Sequence, residues 1–208
     1  MISKTAIIHP NVKLGKNCII EDFVIIGTTP KGYNIGEIET VIGDNAVIRS
    51  HTVIYAGNQI GNNFQTGNKT NIRELNKIGN NVSIGTLSVV EHHVSIGDGV
   101  RIHSQVFIPE FSVLEEECWV GPNVVITNAK YPQSPDAKKE LKGALIRRNA
   151  IVGANATLLP GVIIGEYALI GAGSLVTKDV ARNAVVAGNP AEFIRFITDL
   201  EAYRNVVI

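Results

Sequence analysis

One period organises this chain. From Ile42, steps of six residues land on Ile48, Ile54, Ile60, Thr66, Ile72, Ile78, Ile84, Val90, Ile96, Ile102, Ile108, Leu114, Val120 and Ile126. Thr66 alone is not aliphatic. An earlier run reads Ile8, Leu14, Ile20 and Ile26, and a later one Ile146, Val152, Leu158, Ile164, Ile170 and Val176. A fixed short period marks a repeat architecture, whose units bury their apolar sides only by stacking on neighbours. Two places before the aliphatic there is often a second apolar residue, as in Val82-Ser83-Ile84 and Val100-Arg101-Ile102. Such a pair shares one face of a short strand while the residue between them faces outward. The next residue along is often glycine (Gly43, Gly61, Gly79, Gly85, Gly121, Gly153, Gly171), and we expect it to open each turn with a positive φ. Composition agrees, since 28 Ile and 23 Val against 11 Leu favour a pleated surface over helices.

With 19 basic and 19 acidic residues, the chain is not expected to bind nucleic acid or an anionic membrane by bulk charge. The longest uncharged stretch, Asn149 to Gly165, is broken by Asn155, Pro160 and glycines and is too short for a bilayer span. The start of the chain shows no signal peptide pattern, so a cytoplasmic location is expected. Cys18 and Cys118 occupy inward positions of the ladder and read as small core residues, with neither a disulfide framework nor a metal spacing.

The ladder resembles the hexapeptide-repeat acyltransferases, whose fold is a left-handed parallel β-helix with three hexads per triangular coil. The resemblance covers about residues 6–190 and implies an all-β domain over 1–190. Residues 18 apart then stack on successive coils, roughly 4.8 Å apart. Two breaks in the phase predict loops at about 27–41 and 129–145, the second beside the basic run Lys138, Lys139, Lys142, Arg147 and Arg148. After Pro190 the rhythm stops. Phe193, Ile194, Ile197, Leu200 and Tyr203 carry a helical spacing, which predicts a short C-terminal helix over 191 to about 203, in a helical cap spanning 191–208. Its expected role is to cover the open edge of the last coil.

The string Ile170-Gly171-Ala172-Gly173-Ser174-Leu175-Val176-Thr177-Lys178, followed by Val186-Ala187-Gly188-Asn189-Pro190, resembles the acetyl-CoA-binding end of hexapeptide acetyltransferases. Ala154 and Ala172 are 18 apart, and small side chains at one corner leave a groove where backbone N–H groups can meet a pantetheine arm. The resemblance implies acetyl-CoA as cosubstrate without a metal, with Lys178 near the coenzyme A phosphates and Arg195 as a second contact. Glu192 departs from it, standing where relatives usually carry a basic residue.

The segment from Trp119 through Thr127-Asn128 to Tyr131-Pro132 is similar to that of nucleotide-sugar N-acetyltransferases acting on 3-amino sugars for surface polysaccharides. Galactoside and maltose O-acetyltransferases place a catalytic histidine in this loop, whereas no histidine follows His103 here. Gln133 also replaces an arginine common in the relatives. An alcohol must lose its proton to become a good nucleophile, so a general base is nearly obligatory. A neutral sugar amine attacks a thioester unaided, so the family resemblance points to an amine acceptor.

Glu74, His92, Glu110 and Asn128 are successively 18 apart and form one corner column. The resemblance matches Glu110 and Asn128 to an acid and an asparagine of the N-acetyltransferases. His103 is the candidate proton acceptor, with Ser104, Tyr131 and His92 as substrate contacts; His92 with Glu110 is a rival dyad. The resemblance also implies a homotrimer acting on small molecules, in which corners of two subunits face one cleft. His9, His51 and His93 read as surface or interface residues. Sugar O-acetylation, or transfer of another acyl group, remains the alternative. A metal enzyme of the γ-class carbonic anhydrase type is disfavoured, because His51 and His93, 42 apart, do not stack. A purely structural solenoid has no need of the coenzyme A string.

Overall fold

The computed structural model describes residues 1–203. It is a left-handed parallel β-helix: the strands, mostly two residues long, form three sheets of nine, eight and ten strands, and each sheet takes every third strand in order except at the C-terminal end of the ten-stranded one. Ile84 pairs with Ile102 and Ile102 with Val120, so aliphatics 18 apart lie over one another. Ile20, Ile48, Ile84, Val120, Val152 and Ile170, one to a coil, are essentially inaccessible, and the small residues Ala46, Val82, Val100, Cys118 and Ala150 fill the second inward place. From Ile20 onward each aliphatic rung therefore buries a branched side chain against its copies on neighbouring coils, worth roughly 1.5–3 kcal/mol each. Both cysteines are free and buried, and burial pushes the Cys118 thiol up to about 12, which makes it an inert core residue.

The single non-aliphatic rung is accommodated by hydrogen bonds. Thr66 is buried, its hydroxyl lies 3.2 Å from that of Thr52, and it accepts the Arg49 N–H at 3.0 Å. The chain leaves the coils between Thr28 and Thr40 and again between Ile126 and Leu145. Register absorbs both excursions, since Ile26 pairs with Ile54 and Ile126 with Leu158, after which the step of 18 resumes at Ile146 and Ile164.

Two expectations need correction. The seven glycines named above do not carry the positive φ, although Gly27, after Ile26, does at 85°. The left-handed residue stands two places later, and asparagine often fills it: Asn45 (60°), Asn63 (57°), Asn81 (57°), Asn123 (59°) and Asn155 (57°). Asparagine tolerates this conformation, and here its side chains also form a ladder, from Asn45 to Asn63 at 3.1 Å and Asn63 to Asn81 at 2.8 Å. Glycine is required for a different reason, the approach of the next coil. A Cβ on Gly85 would stand 2.4 Å from the His103 carbonyl carbon, and one on Gly153 would stand 2.6 Å from the Ala172 nitrogen.

The tail is the second correction. Glu192–Phe196 is a strand running antiparallel to Ala184–Ala187, and only Ile197–Asp199 and Glu201–Tyr203 are short 3-10 turns. Without the tail the sheet would end at Ala184–Ala187, whose open backbone groups recruit the β-favouring Phe193, Ile194 and Phe196 as the tenth strand, overriding the helical spacing. Ile197 then turns in and is buried. The remainder of the expected cap, residues 204–208, lies outside the described residues.

Candidate active site

Two corner columns flank one sheet, whose strands include Val89–Val90, Phe107–Ile108 and Val125–Ile126. The corner preceding this sheet holds Gly67, Gly85, His103, Gly121, Gly153 and Gly171 on successive coils. Of these six residues His103 alone carries a side chain; Arg49 stands on the coil before Gly67 and Ala187 on the coil after Gly171. Ala154 and Ala172 sit one residue further along the same corner, joined by a Gly173 N–H donating to the Ala154 carbonyl at 2.8 Å. Ala172 is exposed, and a Cβ on Gly173 would meet nothing within 4 Å. Backbone is thus bare along this corner, as a groove for an extended amide-bearing arm requires.

His103 stands at the lower end of that groove. Its ring packs on Trp119 with centroids 4.6 Å apart, and its buried Nε2 has no hydrogen-bond partner among the described residues. Burial, with a smaller contribution from Arg101, depresses its pKa and favours the neutral imidazole. Ser104 is exposed beside it, and both line a shallow cleft of about 260 Å³ with Gln65, Ser83, Thr86 and Arg101.

The corner following the sheet is polar. Glu74 is buried, and Arg73 donates to both of its oxygens, at 2.9 and 3.0 Å, while also reaching Glu91 at 3.4 Å and covering the Tyr55 ring. Burial opposes ionisation of Glu74, yet the Arg73 hydrogen bonds and charge outweigh it and hold the carboxyl below its ordinary range. On the next coils, His92 Nε2 lies 3.5 Å from Glu110 Oε1, and Asn128 Nδ2 donates to Glu110 Oε2 at 2.7 Å. The structure therefore brings His92, Glu110 and Asn128 together. It keeps His103 and Ser104 on the opposite edge of the same sheet. His93, read from sequence as a surface residue, joins the first group: its Nδ1 lies 2.7 Å from His92 Nδ1, and both rings pack against Phe111. The 18-residue step from His93 to Phe111 carries that signal in the sequence.

The second loop starts here. Thr127 Oγ1 donates to the Leu158 carbonyl at 2.9 Å, and the returning Lys142 N–H closes on the Asn128 carbonyl at 2.9 Å. Asn128 is thereby fixed at the loop's base, while Tyr131 projects from it, 60% exposed. Lys178 stands two coils beyond Asn128 in this polar column rather than beside Ala172. Arg195 lies on the tail strand opposite Val185. Among the described residues no three His, Cys, Asp or Glu side chains are grouped to hold a metal ion, and no helix is long and apolar enough to cross a membrane.

Residues 77–110 and 143–178 match the family described as bacterial transferase hexapeptide (six repeats). A galactoside O-acetyltransferase of Lactococcus lactis is 47% identical over 83 residues, covering 38% of this chain and 40% of that one. A 2,3,4,5-tetrahydropyridine-2,6-dicarboxylate N-acetyltransferase of Staphylococcus aureus is 33% identical over 89 residues, covering 43% and 35%. The match thus spans well under half the length of these curated relatives. Among solved structures, a UDP-N-acetylglucosamine acyltransferase from Bacteroides fragilis overlays with a TM-score of 0.66 at 21% identity, covering all of this chain and 79% of the other, which fits the hexapeptide-repeat fold.

Proposed function

We propose that this chain transfers acetyl from acetyl-CoA to the amino group of a nucleotide-linked amino sugar, a precursor for a surface glycan. The observation that carries the reading is the setting of Glu110. Its carboxylate is held between His92 and Asn128 at a partly open corner, and His92 has one ring nitrogen facing His93 and the other facing Glu110. That histidine therefore has no nitrogen left over to deprotonate a hydroxyl. A fixed carboxylate suits a different acceptor, an ammonium that it binds, orients and relieves of a proton.

The pantetheine arm lies along the bare corner of Ala154 and Ala172, with its thioester towards His103. The amine nitrogen attacks the thioester carbonyl carbon, the carbon–sulfur bond breaks, and the surplus proton ends on the coenzyme A thiolate. His103, kept neutral by its burial, is the group suited to pass that proton. Within one chain His103 and Glu110 occupy opposite edges of one sheet, so the reading includes a homotrimer in which these edges meet between subunits. Supporting it, the outer face of that sheet is largely apolar, carrying Val53, Val89, Phe107 and Val125, the last two 37% and 39% exposed, with Asn71 and Thr157 as its polar members. Lys178, Arg195 and Tyr131 are proposed as contacts for phosphates and sugar.

The similar proteins include both an O- and an N-acetyltransferase, so sugar O-acetylation is the second reading. Coenzyme A thiol release from acetyl-CoA, measured with a panel of nucleotide 3-amino sugars and their hydroxyl counterparts, separates the two. We expect release with amino sugars; release only with hydroxyl acceptors contradicts the amine assignment.

A further inference from the structure

The contact between His92 and His93 does more than fill a corner. Two imidazole nitrogens 2.7 Å apart hold a hydrogen bond only when one carries a proton and the other does not. His92 Nε2 faces the Glu110 carboxylate, which accepts and never donates when ionised, so Nε2 carries the hydrogen. In the neutral ring, Nδ1 of His92 is then the acceptor, and the proton between the two rings belongs to His93. We propose that His93 is a positioning residue: its Nδ1–H anchors the His92 ring so that the His92 Nε2–H stays aimed at Glu110. This deepens the proposed reading, because Glu110 is the group assigned there to the acceptor amine.

Other charges around the pair do not replace His93. Glu74, one coil below His92 in the column, has both oxygens bonded by Arg73, and Glu91 is also held by Arg73, so neither fixes which way the His92 ring faces. Asn128 approaches Glu110 from the far side. Phe111 packs on both rings, the His92 ring edge-on, and offers no acceptor or donor that fixes which nitrogen faces which partner. Without His93, the His92 ring is free to turn about its bond to Cβ.

The fold supplies its own controls. His93 has φ of 58°, and equivalent turn positions in neighbouring hexads hold Leu75 (62°), Asn81 (57°) and Leu87 (60°). His93→Leu and His93→Asn thus place residues that this backbone already accommodates. The asparagine Nδ2 occupies nearly the place of the histidine Nδ1 and restores a donor, whereas leucine restores none.

The direct test is the ring Nε2–H resonance of His92, which faces Glu110 at 3.5 Å, followed in protein labelled with 15N-histidine and assigned through His92→Gln. We expect a solvent-protected Nε2–H signal in the wild type and in His93→Asn, and its loss to exchange in His93→Leu. A signal that persists in His93→Leu, is absent from the wild type, or is lost equally in both variants overturns the proposal. This readout needs no substrate, so it stands if the proposed acceptor is wrong. With an active acceptor in hand, kcat/KM for that acceptor should fall roughly tenfold in His93→Leu and stay within about twofold in His93→Asn, with KM for acetyl-CoA unchanged. Equal losses in the two variants reduce His93 to a structural residue.

Discussion

The two corners that flank the same sheet are built from the same hexad and solve opposite problems. At the glycine corner the coils come so close that a single Cβ on Gly85 or Gly153 would collide with the next coil's backbone. At the polar corner Glu74, His92, Glu110 and Asn128 project far enough for side chains of successive coils to meet, as Glu110 and Asn128 do. A rigid solenoid thus offers bare backbone on one edge and an oriented set of functional groups on the other. The first suits an extended ligand read by N–H and C=O groups, and the second suits proton handling.

Breaking each corner should give opposite signatures. The largest stability effect is expected for Gly85→Ala, whose Cβ would stand 2.4 Å from both the His103 carbonyl carbon and the Ser104 nitrogen. Denaturant unfolding should show a loss of about 3 kcal/mol or more, and a loss below about 1 kcal/mol would mean that the corner is looser than described. Glu110→Gln at the polar corner should do the reverse. Turnover should drop by about two orders of magnitude, as expected for a proton-handling group, while the midpoint of unfolding barely moves.

Smaller effects sharpen the contrast between corner and core. Thr66→Val makes the ladder fully aliphatic yet should destabilise by about 1 kcal/mol, because the partly buried Arg49 N–H loses the acceptor it has at 3.0 Å. A stabilised variant would show that this hydrogen bond contributes nothing net. The smallest effect concerns pH. The folded carboxyl of Glu74 is depressed relative to its ordinary value of 4.5, so its contribution is present above that value and fades as pH falls through the lower folded one. Thermal unfolding midpoints should fall on acidification below about pH 4.5, and more steeply in the wild type than in Glu74→Gln.

Much of this architecture was legible in the sequence, because a period of six leaves little freedom. The aliphatic rung, the inward Val82 or Ala46 beside it and the stacking of residues 18 apart follow from the pattern alone. The glycines were assigned the wrong cause. Local turn chemistry suggests a positive φ, whereas the decisive constraint is the neighbouring coil, which lies 18 residues away and is invisible to a local reading. The tail failed similarly, since Phe193, Ile194 and Ile197 fit a helix until the open edge at Ala184–Ala187 supplies a partner. At the site, spacing placed Glu74, His92, Glu110 and Asn128 in one column but said nothing of rotamers. The bond between Asn128 and Glu110, and the pairing of His92 with His93, depend on where side chains turn. Spacing alone therefore gives His93 no role beyond a surface position, although Phe111 on the next coil is in register with it.

The most direct measurement is the chemical identity of the product made from acetyl-CoA and a nucleotide amino sugar that also bears free hydroxyls, determined by NMR of the isolated product. An acetamide on the sugar nitrogen, lost together with turnover in Glu110→Gln, is the expected result. An acetate ester on a hydroxyl, or amide formation undiminished in Glu110→Gln, would contradict the assignment of this corner to an amine acceptor.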